Sequence, residues 1–144
     1  MPDLDERFTG ALHNTSRAWR QAVDRRLKHL GLSQASWMTI AVAAKARWPL
    51  SQSELAQKLD VEGATMVAMV DRLVKAGLVV REPSTTDRRV KRVVLTAAGN
   101  QLYDRVRTEA AAFRKELLAH VEPKKLLVAT ELLEGLQGII DSQP

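Results

Sequence analysis

The side chains best suited to chemistry in this 144-residue chain are arginines and lysines, which cluster in two segments. Residues 72–92 contain seven basic and two acidic side chains, and their net charge of +5 equals that of the whole chain. Residues 17–28 contain five basic side chains and one acidic one. Such clusters suit an anionic partner, either nucleic acid or a membrane surface, although charge also serves solubility alone.

Residues for other kinds of chemistry are missing or scattered. The chain has no cysteine, which excludes disulfides, thiolate catalysis and cysteine-ligated zinc. Its three histidines, His13, His29 and His120, form no metal-binding motif and have no evident catalytic partners, and its seven glycines form no phosphate-binding loop. We therefore expect no metal, no cofactor and no enzymatic activity. Because no apolar stretch reaches the roughly 18 residues of a membrane span, we expect a cytoplasmic protein with no membrane partner.

Apolar residues at helical spacing, bounded by capping residues, predict six helices. They cover residues 5–30, a segment from a cap at Ser33 to before Pro49, a short helix from the capping box Ser51-Gln52-Ser53-Glu54 to near Leu59, residues 62–76 before Gly77, residues 96–121, and a last helix from Pro123 to about 142. In the fourth helix, Met66, Met69, Val70 and Leu73 form the predicted buried stripe.

The pattern between the fourth and fifth helices is that of a β-hairpin. Residues 78–81 and 90–95 are β-branched runs, and the turn-rich segment 83–89 separates them. Two short helices followed by a basic hairpin predict a mainly α fold with a small β-hairpin, a winged helix-turn-helix of the α+β class. Its second helix fits the major groove of DNA, and the hairpin reaches the minor groove or its phosphates. The alternative is a small α+β domain whose charged hairpin is only solvated.

The fifth helix is too long for one small domain to cover. Residues 96–121 span about 37 Å at 1.5 Å per residue. Its apolar stripe is Leu102, Val106, Ala110, Phe113, Leu117 and Val121, and that of the last helix is Leu126, Ala129, Leu133, Leu136 and Ile140. We expect a second copy to cover an exposed stripe of this kind, although packing within the chain is the alternative.

Three further segments form a recognisable set: Val70-Asp71-Arg72-Leu73, Gly77-Leu78-Val79-Val80-Arg81, and Asp87-Arg88-Arg89 continuing through Lys91 to Leu95-Thr96. Together they resemble the MarR family of bacterial transcription regulators, particularly its SlyA branch. The similarity extends over roughly residues 12–120. It implies a homodimer in which residues 5–30 and 96–142 form a helical dimerisation region. It also implies that residues 33–95 are the winged DNA-binding region, within a chain organised as a single unit over residues 1–144.

The same resemblance implies roles for the hairpin tip. Relatives place Arg89 or Arg88 in the minor groove, with a salt bridge from Asp87 holding the loop. This suits an A·T-rich minor groove, whose concentrated negative potential attracts guanidinium groups. Lys91 and Arg92 are interpreted either as phosphate contacts or as solvated strand residues.

The fourth helix differs from the SlyA pattern, which usually has a basic residue where this chain has Ala68. Bidentate guanine contacts are therefore excluded at this position. We expect the Thr65 hydroxyl to read bases, with apolar contacts to thymine methyl groups from Ala64, Val67 and Ala68. Arg72 is interpreted either as a phosphate contact or as a salt-bridge partner of Asp87 or Glu82.

Relatives commonly bind small phenolic carboxylates such as salicylate between the dimer helices and the winged region. A site of this kind needs an apolar floor and a cation. Trp37 with Arg17 or Arg20 is the candidate set here, although these residues also suit the core, the dimer interface or the DNA backbone.

The sequence thus predicts a homodimeric regulator, expected to act as a repressor, that binds a pseudo-palindromic, A·T-rich site in double-stranded DNA and is released by a small aromatic carboxylate. The alternative is a nonspecific architectural DNA-binding protein or a winged-helix module for protein interaction.

Overall fold

The computed structural model describes all 144 residues as six helices and three short strands. In chain order they are α1 (Leu4–Leu27), a 3-10 turn (Lys28–Leu30), α2 (Gln34–Lys45), β1 (Leu50–Ser51), α3 (Gln52–Leu59), α4 (Gly63–Lys75), β2 (Val79–Pro83), β3 (Lys91–Leu95), α5 (Ala97–Leu118) and α6 (Pro123–Asp141). The predicted fold class is confirmed. The chain divides into two compact units, residues 1–110 and residues 111–144.

Side-chain caps set the beginnings of three helices in the first unit. Asp3 accepts a hydrogen bond from the Glu6 amide at the start of α1, and Ser33 accepts one from the Ser36 amide at the start of α2. The predicted capping box of α3 is confirmed, because the Ser51 hydroxyl accepts from the Glu54 amide and the Glu54 carboxylate accepts from the Ser51 amide, both at 3.1 Å. These bonds satisfy helix amides that would otherwise have no partner.

The core of the first unit lies between α2, α3, α4 and a small antiparallel sheet with strand order β1-β3-β2. The predicted stripe of α4 is confirmed: Met66, Met69, Val70 and Leu73 are all buried. They pack with buried residues of the other elements, namely Ile40, Leu50, Leu55, Ala56, Val79 and Val93. The buried side of α4 therefore holds it against the sheet and leaves its other side to solvent.

A junction around Thr96 fixes the base of the hairpin to the start of α5. The Thr96 hydroxyl donates to the Gly77 carbonyl at 2.7 Å and accepts from the Gly99 amide at 3.1 Å. The Thr96 amide donates to the carbonyl of Leu78. Gly77 has φ of +76°, which suits glycine because it lacks a Cβ. The predicted cap at Thr96 is thus confirmed, and the same side chain also binds the turn before β2.

Besides shifts of one or two residues at element ends, such as β2 running to Pro83, the structure differs from the predicted elements in three places. The first helix does not continue regularly to residue 30, because a 3-10 turn precedes the left-handed Gly31. The fifth helix ends at Leu118 rather than 121, since Val121 donates to the carbonyl of Leu118 in a tighter turn before Pro123. A third strand, β1, was not predicted, because its two residues show no periodicity and form a strand only by pairing with β3.

The second unit exposes most of the apolar side chains of α6. Of the predicted stripe, Leu126 and Leu136 are half-buried, whereas Ala129, Leu133 and Ile140 are exposed. Further exposed apolar residues lie outside that stripe, namely Leu127, Val128, Leu132 and Ile139. A helix with apolar residues on most of its circumference is typical of a buried environment. No helix of the structure is both long and apolar enough to cross a membrane.

Replacing Gly99 with alanine should destabilise the protein. A Cβ at position 99 would collide with the backbone carbonyl of Leu78, which Thr96 also holds, so the junction would have to shift. We expect the free energy of unfolding to fall by about 1–3 kcal/mol in urea titrations at fixed protein concentration. Gly10→Ala is the control, because nothing lies within 4 Å of a Cβ there. Equal stability of the two variants would contradict the close packing at the junction.

Candidate nucleic-acid interface

One side of α4 is exposed opposite its buried stripe. The five residues predicted to contact DNA from this helix all lie there, and all are exposed: Ala64, Thr65, Val67, Ala68 and Arg72. No side chain caps the start of α4, so its first amides remain available to an anion. This surface combines one hydroxyl, small apolar groups and one guanidinium.

Arg72 forms none of the salt bridges considered for it. Its side chain has no hydrogen bond or ion pair with Asp87, Glu82 or any other residue. The ion pair at this end of α4 instead joins the neighbouring Asp71 to Arg81, at 2.6 Å. The salt-bridge interpretation of Arg72 is therefore wrong, and its guanidinium is free to meet a ligand.

Arg81 connects the hairpin to both helices of the helix-turn-helix. From β2, its Nε donates to the side-chain carbonyl of Gln52 at 2.7 Å, at the start of α3. Its Nη2 donates to the Asp71 carboxylate and, at 3.3 Å, to the backbone carbonyl of Val67, both on α4. Only 26% of the Arg81 side chain is exposed, so these bonds are partly protected from water. The result is a fixed arrangement of α3, α4 and β2.

Sequence reasoning assigned no role to Arg81, although strand alternation contains the signal. Val79 is buried in β2 and Val80 is exposed, so Arg81 falls on the same face as Val79, toward the protein. An arginine on an inward face needs acceptors to compensate for lost hydration. Gln52, Val67 and Asp71 supply them.

The loop between β2 and β3, residues 84–90, is closed by short backbone contacts. The Ser84 amide donates to the Val90 carbonyl at 2.8 Å, and the Val90 amide donates to the Asp87 carbonyl at 3.0 Å. Ser84 also accepts from the Thr86 amide through its hydroxyl. We call this loop the wing tip. Its bonds give it a defined conformation at the surface.

Asp87 orients Arg89 at the wing tip. Its Oδ1 accepts from the Arg89 amide at 3.0 Å and from Arg89 Nε at 3.2 Å, while its Oδ2 accepts from Nη2 at 3.3 Å. The side-chain and backbone hydrogen bonds from Arg89 hold the pKa of Asp87 below its ordinary value of 3.8. The Arg89 side chain is nevertheless 91% exposed, so the contact directs the guanidinium without covering it.

The other basic residues of the hairpin have different surroundings. Arg88 is exposed at the wing tip with no partner, and Lys91 is exposed at the start of β3. Arg92 is half-buried, and its buried Nε has no hydrogen-bond partner. Arg92 is therefore only partly solvated in its strand.

A pocket of about 190 Å³ lies beside α4. One cation, Arg20 of α1, lines it. The other lining residues come from α2, the end of α3, the segment before α4 and α4 itself: Gln34, Ala35, Met38, Thr39, Leu59, Val61, Thr65, Met66 and Met69. Thr65 thus belongs both to this pocket and to the exposed side of α4.

The structure does not place the three predicted ligand residues around that pocket. Only Arg20 lines it. Trp37 Nε1 donates to Asp24 at 3.1 Å, which fixes the indole beside α1. Arg17 Nη2 donates to Asn14, one turn earlier on the same helix. In this structure Arg17 and Trp37 therefore have partners away from the pocket that Arg20 lines.

Comparison with known proteins gives consistent matches. The model of the MarR family matches residues 43–91. The structure of transcriptional regulator PA3341 is 37% identical, has a TM-score of 0.86, and covers 94% of this chain and 99% of its own. CouR from Rhodococcus jostii RHA1, solved with p-coumaroyl-CoA, is 23% identical with a TM-score of 0.81, covering 100% of this chain and 99% of its own. Staphylococcus aureus MarR, solved with salicylate and kanamycin, is 18% identical and has a TM-score of 0.84. The match covers 98% of this chain and 95% of the Staphylococcus aureus chain.

The pKa of Asp87 provides a direct test of the wing-tip geometry. Because the pKa of Asp87 is lowered in the folded state, its contact with Arg89 stabilises the loop at pH values above the ordinary pKa of an aspartate. This stabilisation is lost as the pH falls through the lowered pKa of Asp87. We expect a carboxyl ¹³C NMR titration to give a lowered pKa in the wild type and in Arg88→Ala. Arg89→Ala should raise the pKa part of the way toward its ordinary value, because the side-chain bonds are lost while the amide of residue 89 still donates to Asp87. The same lowered pKa in both variants would show that Arg89 does not hold Asp87.

Proposed function

Because this chain belongs to the MarR family of transcriptional regulators, which are not enzymes, we propose that it is a homodimer that binds a pseudo-palindromic, A·T-rich DNA site. The observation that carries the proposal is the Arg81 contact. It links the exposed side of α4 and the hairpin, the two surfaces suited to adjacent grooves of one duplex. The net charge of +5 over residues 72–92 favours the phosphate backbone on the same side.

In this proposal α4 enters the major groove. The Thr65 hydroxyl bonds a base edge, and the apolar groups of Ala64, Val67 and Ala68 contact thymine methyl groups. Arg72 and Lys91, exposed and without partners, bind phosphates. Small side chains provide little direct base discrimination, so much of the specificity comes from the wing tip and from DNA shape.

The wing tip supplies the minor-groove contact through Arg89. Its guanidinium is held by Asp87 but almost fully exposed, so less side-chain entropy is lost on binding than for a free arginine. Arg88 has no such restraint and binds the adjacent phosphates. This arrangement supports Arg89 as the residue that enters the groove, where a narrow A·T-rich segment attracts it.

Residues 5–30 and 96–142 form the dimerisation region, and residues 33–95 the winged region. The apolar surface of α6 supports the dimer, since Leu127, Val128, Ile139 and Ile140 are each more than half exposed in the single chain. A second copy covering these side chains removes them from water and sets two winged regions on two half-sites.

Assignment to the SlyA-like branch is a finer proposal. It rests on the resemblance of the segment from Asp87 to Thr96 to that branch. The contacts made by residues at both ends of this segment support the proposal. Asp87 and Arg89 form the wing-tip contact, and Thr96 fixes the base of the hairpin.

The pocket beside α4 suits a small aromatic carboxylate. Its volume of about 190 Å³ is close to the roughly 150 Å³ of an engineered apolar cavity that binds benzene, so one ring fits. Arg20 offers a cation for the carboxylate, and three methionines line the wall. Because Thr65, Met66 and Met69 belong to α4, a ligand that prefers a shifted α4 would weaken DNA binding. The salicylate of the Staphylococcus aureus structure belongs to this ligand class, whereas the p-coumaroyl-CoA of CouR is a thioester that shares only the aromatic ring.

Selection of bound duplexes from random DNA tests the proposed function. We expect enrichment of an inverted repeat with half-sites about one helical turn apart, bound about 10³-fold or more tightly than scrambled DNA. Salt-sensitive binding without enrichment would support a nonspecific architectural protein instead.

The Arg88→Ala/Arg89→Ala variant tests the wing tip. It should bind the selected DNA at least about tenfold more weakly than the wild type and show a weaker preference for A·T base pairs, with the dimer intact. Unchanged affinity would remove the wing tip from the mechanism.

Titration with salicylate tests the pocket. We expect salicylate to weaken operator binding by the wild type. Arg20→Gln should raise the salicylate Kd at least about tenfold, because it removes a charge-assisted hydrogen bond. Arg17→Gln is the matched control and should leave the Kd unchanged, since Arg17 does not line the pocket. Equal salicylate affinities for the two variants would contradict the proposed site.

A further inference from the structure

One tryptophan is exposed on the winged region without a role in the proposed DNA contacts. Trp48 lies between α2 and β1 and is 62% exposed, whereas Trp19 and Trp37 are half-buried. Exposure of an indole leaves a large apolar area in water, and tryptophan is enriched at the centres of protein interfaces.

Three cations line the same open pocket as this indole. Lys45, Arg47 and Lys58 line a cavity of about 490 Å³ together with Trp48, and Val42 and Leu50 also line it. No acidic residue lines the cavity, and none of the three cations has an ion pair or side-chain hydrogen bond. We call Lys45, Arg47, Trp48 and Lys58 the Trp48 patch.

The Trp48 patch lies at the opposite end of the hairpin from the wing tip. On its other side, Trp48 borders a second cavity lined by Val93, Val94 and Leu95, which form the end of β3. Leu95 pairs with Val79 at the base of the hairpin, whereas Lys91 pairs with Pro83 beside the wing tip. The four steps from Lys91 to Leu95 correspond to about 13 Å along the strand. The patch therefore lies near the base of the hairpin, apart from the wing tip and from the exposed side of α4 to which the DNA contacts are assigned.

We propose that the Trp48 patch binds an acidic segment of another protein that carries an apolar or aromatic anchor. The anchor packs against the indole over Val42 and Leu50, and carboxylates pair with Lys45, Arg47 and Lys58. Charge complementarity selects this partner, because a cavity lined by three unpaired cations and no carboxylate disfavours a basic or neutral segment. A regulator with such a surface can contact a second protein while it occupies DNA.

Selection from a displayed library of random peptides tests the proposal, with the full-length dimer as bait and the Trp48→Ala protein for counter-selection. We expect the enriched peptides to be net acidic and to contain an aromatic or large aliphatic residue. A synthetic copy of the most enriched peptide should bind at least tenfold more weakly to Trp48→Ala and to Lys58→Glu than to the wild type. Lys28→Glu, an exposed cation outside the patch, is the charge-matched control and should bind like the wild type.

Thermal unfolding and operator affinity of the same variants complete the test. Because Trp48 and Lys58 are exposed, we expect both variants to keep the wild-type melting temperature. Because neither residue lies on the exposed side of α4 or at the wing tip, we also expect them to keep the wild-type DNA affinity. Enrichment of peptides without acidic character, no enrichment, or equal peptide binding by Lys58→Glu and Lys28→Glu would overturn the proposal. A tenfold loss of operator affinity in Trp48→Ala would also overturn it, since the patch would then belong to the DNA interface.

Discussion

The arrangement of the winged region depends on the hydrogen bonds that the guanidinium of Arg81 donates. From one strand of the hairpin it reaches Gln52 at the start of α3 and both Val67 and Asp71 on α4. A planar group with several donors can satisfy three acceptors in different directions, which a lysine ammonium on a flexible chain does poorly. Because DNA grooves have fixed separations, a reading helix and a wing are useful only if their spacing is also fixed.

Two other contacts extend this constraint to the ends of the hairpin. At its base, Thr96 binds the turn at Gly77 and caps α5, so the hairpin cannot rotate independently of the long helix. At its tip, Asp87 orients Arg89 while leaving it exposed. The helix that carries the proposed base contacts also forms a wall of the pocket beside Arg20. A ligand there would act on Thr65 directly, which gives the proposed effector a short physical route to DNA binding.

Local signals predicted most of the fold. Caps at Ser33, Ser51 and Thr96 and the apolar stripe of α4 depend on neighbours within a few residues, so the sequence alone locates them. Features that depend on distant partners were missed. The strand β1 exists only through pairing with β3, and the role of Arg81 depends on acceptors up to 29 residues away. The hydrogen bond from Trp37 to Asp24, which holds the indole away from the pocket that Arg20 lines, also joins different helices and was not predicted.

A double-mutant cycle between Arg81 and Arg89, measured as affinity for the selected operator, tests the central claim most directly. If Arg81 positions the hairpin so that Arg89 reaches the minor groove, then Arg89 contributes little once Arg81 is alanine. The double variant should therefore bind nearly as well as Arg81→Ala alone, with a coupling energy of at least about 1 kcal/mol. Additive losses, with coupling below about 0.3 kcal/mol, would show that the two arginines act independently and would contradict the account.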